Sequence, residues 1–62
     1  MEIEVRVDNE VVFSGLAEDF LYQNDLDAEL EDLLDRLDSM LDGSIVFFED
    51  MEIEKLETNL FS

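Results

Sequence analysis

Over the first seven residues apolar and charged side chains alternate, with Met1, Ile3, Val5 and Val7 on one side and Glu2, Glu4 and Arg6 on the other. A period of two marks a half-buried strand. The next apolar run, Val11 to Phe13, follows Asp8, Asn9 and Glu10, and parity selects the loop. A three-residue loop pairs Val7 with Val11 and Val5 with Phe13, whereas a two-residue loop sets apolar against polar. The pattern therefore predicts an N-terminal hairpin, with Asn9 or Glu10 in the left-handed position and Val12 turned to the polar face.

Residues 15–23 place Leu16 with Phe20 and Ala17 with Leu21 at helical spacing, which fits a short helical turn or an ordered connector. A longer helix is expected from Asn24 to Gly43. Asn24 is its predicted N-cap, Asp27 takes the capping-box place, and acids fill the first turn, where the macrodipole favours them. Leu26, Leu30, Leu33, Leu34, Leu37 and Leu41 form its apolar face with Met40, and Gly43 stands where a left-handed C-terminal cap belongs. Asp38 and Asp42 oppose the dipole in the last turns, a cost that stability alone does not explain.

Ile45 to Phe48 is β-branched and aromatic and reads as a buried strand. From Met51 to about Leu56 a second strand is expected, turned back through Glu49 and Asp50 so that Met51 and Ile53 lie beside Phe48 and Val46. A helical alternative would group Ile53, Leu56 and Leu60. The motif Met-Glu-Ile-Glu occurs at both Met1 and Met51 and is read as two similar edge strands. The expected fold is a single α+β domain over residues 1–62. Its small antiparallel sheet comprises the N-terminal hairpin plus one or two C-terminal strands, with one acidic amphipathic helix packed on one face.

Composition sharpens this picture. Hydrophobic residues make up 47% of the 62, enough for a core, yet a chain this short buries only about 60% of the surface its unfolded form exposes. There is no cysteine or histidine, so disulfides and the usual structural zinc ligands are absent. Nineteen Asp and Glu against three Lys and Arg give a net charge of -16. Self-repulsion at that density is relieved by salt, which is expected to stabilise the fold. Direct nucleic-acid binding and anionic membranes are disfavoured, and a partner is expected to be basic. Nothing near Met1 resembles a signal peptide, and no apolar run approaches ~18 residues, so a complete, soluble, cytoplasmic gene product is expected.

Catalysis is not expected: no serine has an evident basic partner, and a core this size can hardly desolvate one acid of a carboxylate pair in a cleft. A calcium loop beginning at Asp25 fails, because its sixth position is Leu30 and its twelfth Arg36. No cofactor or metal is expected.

What remains is the charge itself. Asp27, Glu31, Asp35, Asp38 and Asp42 recur as one stripe, with Asp25, Glu29 and Asp32 as a second that ends at Arg36. On one continuous helix these eight acids would span roughly 25 Å, about one charge per 3 Å of axis, close to the 3.4 Å per phosphate of a single DNA strand. Glu2, Glu4, Glu52 and Glu54 are expected to add a second acidic surface, and Glu49 and Asp50 a rim. Phe13, Phe20 and Phe48 are expected in the core, while Phe47 is placed with Val12 as an apolar spot in the acidic field; Tyr22 and Phe61 are unassigned. A charged helix back ordinarily serves only solubility. Here, however, Asp is chosen over the better helix former Glu, and like charges recur with little pairing, which suggests selection on the surface.

The chain has the physical profile of nucleic-acid-mimic inhibitors, many of them phage-encoded, and the expected role is a non-enzymatic inhibitor. It would occupy the basic channel of a nucleic-acid-binding protein or nucleoprotein effector, as an anti-defence factor of the anti-CRISPR or anti-restriction type acting in the host cytoplasm. The alternative is a stoichiometric interaction module, such as an antitoxin, a chaperone of a basic protein or a transcription-machinery inhibitor, docking through an apolar patch. The hydrophobic surplus fits either a monomer or a homodimer.

Overall fold

The alternating start of the chain forms strand β1 (Glu2–Val7), and β2 (Glu10–Leu16) returns antiparallel beside it. The computed structural model describes residues 1–57. Two helices follow, α1 (Ala17–Gln23) and α2 (Ala28–Asp38), then β3 (Ile45–Phe48) and β4 (Met51–Lys55). The antiparallel sheet has the order β2-β1-β4-β3, and the expected α+β layering is present, with two helices over the sheet instead of one. Leu60 and Phe61 lie outside the described residues.

The hairpin reaches its register by a different route from the expected one. Its loop has two residues, Asp8 and Asn9, with φ of 53° and 66°, the double-positive pattern of a type I′ turn. Val7 therefore faces Glu10, and a bulge then shifts the pairing so that Arg6 faces Val11 while Val5 faces Phe13. The bulge supplies the extra residue that the parity argument assigned to the loop. Because asparagine carries a Cβ at a left-handed position, Asn9→Gly is expected to stabilise the domain by about 0.5–1 kcal/mol, a thermal midpoint several degrees higher. An unchanged or lower midpoint in a thermal melt would contradict the I′ geometry.

The two Met-Glu-Ile-Glu segments are not edge strands. They are the inner strands and pair with each other, Val5 facing Ile53 and Glu4 facing Glu54. Ile3, Val5 and Ile53 are consequently buried completely, and they meet Ala17 and Phe20 of α1 and Leu30, Leu34 and Leu37 of α2 in one core. Phe13 reaches this core along the sheet, its ring 5.1 Å from that of Phe20. A Cβ at Gly15 would meet the Phe13 ring at 3.4 Å, so the glycine leaves the ring room to lie there.

The segment from Asn24 to Gly43 is not one helix. Asn24 closes α1, its Nδ2 donating to the Phe20 carbonyl at 2.8 Å, and Asp25 and Leu26 turn the chain with φ of 58° and 54°. Asp27 is the N-cap of α2, its Oδ1 accepting from the backbone N–H groups of Glu29 and Leu30 at 2.9 and 3.1 Å. Both helices cover one sheet face, so the chain must reverse between them, and residues 24–27 make that reversal. At the other end α2 stops at Ser39, and Gly43, with φ of 86°, donates its N–H to the Lys55 carbonyl, extending the β3–β4 ladder. Leu26 and Leu41, expected in the apolar face, are accordingly 53% and 85% exposed.

Candidate partner-binding surface

Helix α2 is amphipathic because Leu30, Leu34 and Leu37 recur at i, i+4 and i+7, and this fixes where its carboxylates point. Glu29, Glu31, Asp32, Asp35 and Asp38 are all exposed. At 1.5 Å per residue they span about 14 Å of axis, a mean interval of about 3.4 Å, and Asp32 among them is paired with Arg36. The expected eight-acid stripe is thus shorter. Asp25 sits in the reversal before α2, Asp27 is occupied as its N-cap, and Asp42 lies in the connection to β3. The phosphate-like spacing survives over half the expected length.

Glu49 and Asp50 form the β3–β4 turn, Glu49 with φ of 56°. Since Arg6 faces Glu52 while Ile3 faces Lys55, this turn lies at the same end of the sheet as Asp8 and Asn9. That end is an acidic tip, which Glu10 joins.

On the outer sheet face Glu4, Glu52 and Glu54 converge on Arg6: its guanidinium bonds Glu52 at 2.7 Å, lies 3.0 Å from Glu54, and also bonds Glu4. Only Glu2 of the four expected acids stays outside this cluster, so the face is acidic as expected, with one of its four negative charges offset by Arg6. The carboxylates, Glu52 foremost and then Glu54, hold the Arg6 guanidinium well above its usual range. A raised value in the folded state adds stability below the unfolded value and loses it only in strong alkali, so this contribution is constant around neutral pH. Arg6→Met should lower the thermal midpoint, because Glu4 and Glu54 then face each other directly with no cation between them. Adding Glu54→Gln to that variant should recover part of the loss; no recovery would mean that the cluster contributes packing and not charge balance.

Phe47 is 71% exposed on this outer face, where it pairs with Glu52. Val12 is on the opposite edge strand, three strand spacings or about 14 Å away, so the two do not form one spot. Ile45, two residues along β3, is the apolar neighbour of Phe47 on that face.

The other two cations are also engaged within the fold. Arg36 pairs with Asp32 at 3.1 Å one helical turn away. Lys55 reaches across to the end of α2, where its Nζ donates to the carbonyls of Asp38 and Met40, each at 2.7 Å, and lies 3.9 Å from Asp42. An ammonium at a helix C-terminus offsets the dipole. It explains how Asp38 and Asp42 are tolerated there. Sequence reasoning missed both Arg6 and Lys55 as structural cations; the second Met-Glu-Ile-Glu motif, read as the mate of the first, would have brought Glu52 and Glu54 to Arg6.

Glu4, Asp32, Asp42, Glu52 and Glu54 lie within 4.0 Å of a cation; the other fourteen of the nineteen carboxylates have none among the described residues. Four of those fourteen, Glu18, Glu31, Asp35 and Asp38, edge an open groove of about 280 Å³ between α1, α2 and the start of β1. Its floor is apolar, made by Met1, Leu16, Ala17, Leu21 and Leu34. Among the described residues no three His, Cys, Asp or Glu side chains converge as metal ligands, and no helix is long and apolar enough to cross a membrane. No family model matches the chain, and neither a curated protein nor a solved structure is significantly similar to it.

Proposed function

We propose that this protein is a non-enzymatic inhibitor whose acidic surface occupies a basic, phosphate-accepting channel of a nucleic-acid-binding protein or nucleoprotein effector. The observation that carries this reading is the division of charge: all three Lys and Arg side chains are paired within the chain, while fourteen carboxylates are left without a cation. Helix α2 presents five acids at about the axial spacing of strand phosphates. A channel built to receive phosphates would meet carboxylates at a comparable mean density and feel the same long-range attraction. A merely solvated surface would mix signs, since each i,i+4 pair of opposite charge adds a few tenths of a kcal/mol. Anti-defence roles of the anti-CRISPR or anti-restriction kind, encoded by phage and exerted in the host cytoplasm, belong to this class.

A second reading has its own support in Phe47 and Ile45, which stand exposed on the outer sheet face. There the protein would be a stoichiometric module docking through an aromatic anchor. The deciding experiment is capture from bacterial lysate on the immobilised protein, with and without nuclease treatment, at about 100 mM and about 500 mM salt. A nucleic-acid enzyme held at low salt, released at high salt and displaced by DNA or RNA supports the mimic. A partner that survives high salt, ignores nucleic acid and is lost with Phe47→Asp replaces it with the docking module.

A further inference from the structure

We infer that the groove between α1 and α2 receives a single arginine side chain of the target, an inference that rests on the proposed mimicry and specifies its central contact. At about 280 Å³ the groove falls just below the roughly 300–1,000 Å³ of small-molecule sites and is open to solvent, which suits a single side chain better than an enclosed ligand. The lining has two parts. Leu21, Leu34 and Ala17 offer an apolar bed for methylenes or for the flat of a guanidinium, and Glu31, Asp35 and Asp38 stand along α2 with Glu18 opposite on α1.

This chemistry selects arginine. A long cationic side chain buries its stem along apolar surface while its head stays with the charges. The guanidinium is planar and weakly hydrated, and it carries five donors in a fork that engages carboxylates two at a time; an ammonium is compact and strongly hydrated. No cation of the described residues lies within 4.0 Å of any of the four groove carboxylates. Phosphate-binding channels are themselves rich in arginine. A mimic that only spread charge along α2 would attract such a channel, whereas a groove that accepts one guanidinium sets the register in which the two surfaces meet.

The test is a nuclear magnetic resonance titration of the full chain with N-acetyl-arginine methylamide, run beside the lysine and citrulline analogues. Two doubly neutralised variants carry the same change in net charge and touch no ion-paired acid: Glu31→Gln with Asp35→Asn on the groove, and Asp8→Asn with Glu10→Gln at the hairpin tip. The expected result is saturable shifts centred on Ala17, Leu21 and Leu34, stronger for arginine than lysine and absent for citrulline. The groove variant should lose about tenfold in apparent affinity and the control variant less than about twofold. Diffuse shifts over all of α2, or equal losses in the two variants, would overturn the groove inference. The mimic reading is judged separately, by nucleic-acid competition for the captured partner, so it can stand when the groove fails.

Discussion

Leu37→Ala is expected to leave the domain largely unfolded at 25 °C. Leu37 is completely buried at the end of the α2 apolar face, in the same core as Ile3, Val5 and Ile53. Truncating such a leucine costs about 2–5 kcal/mol, and a single core in a chain of this length rarely supplies more than about 3–5 kcal/mol. With no cysteine in the chain, no disulfide makes up the difference. Leu41→Ala supplies the contrast: its side chain is 85% exposed, and its loss should change stability by no more than about 0.5 kcal/mol. Urea titration followed by circular dichroism separates the two. Equal losses at both positions would mean that the leucine row continues through Leu41 as one helix face.

Reversing Glu31, Asp35 and Asp38 to lysine together should lower affinity for the captured partner by about two to three orders of magnitude at about 100 mM salt, and flatten its salt dependence. The loss would not reflect unfolding. All three side chains are exposed; the new lysines repel one another at the spacing the acids held, but they reduce the net charge of -16 by six units and gain Asp27, Asp32 and Asp42 as opposite-charge neighbours at helical spacing. The thermal midpoint should therefore hold or rise, more visibly at low salt where repulsion is least screened. An affinity unchanged in the triple variant would remove the acidic helix from the mechanism and leave the outer face around Phe47 as the docking surface.

The sequence made some of this legible and hid the rest for physical reasons. Period-two alternation located β1, and the Glu49–Asp50 turn located the β3–β4 hairpin, because both signals are local. The same parity argument placed Val5 opposite Phe13 correctly while assigning the wrong loop, since a two-residue turn with a bulge and a three-residue loop give that pair the same partner. Asn24 and Asp27 both have the chemistry of an N-cap. Asparagine serves helix ends as well, and only the requirement that α1 and α2 share one sheet face assigns Asn24 to closing α1. The acids of α2 were readable as exposed from the leucine spacing alone. Their pairing was not, because Arg6 meets Glu52 across 46 positions of sequence and Lys55 meets the Asp38 carbonyl across 17.

The inner pairing of β1 with β4 also sets the order in which the core can close. Strand β1 meets β2 through the short Asp8–Asn9 turn, but its other edge must await residues 51–55. Ile3 and Lys55 are separated by nearly the whole described chain, and until they meet Val5 has no Ile53 beside it. Contacts this distant in sequence slow closure of the core. Helices α1 and α2 pack on Ile3, Val5 and Ile53 together, so the carboxylates of α2 become one rigid array only when β4 docks against β1.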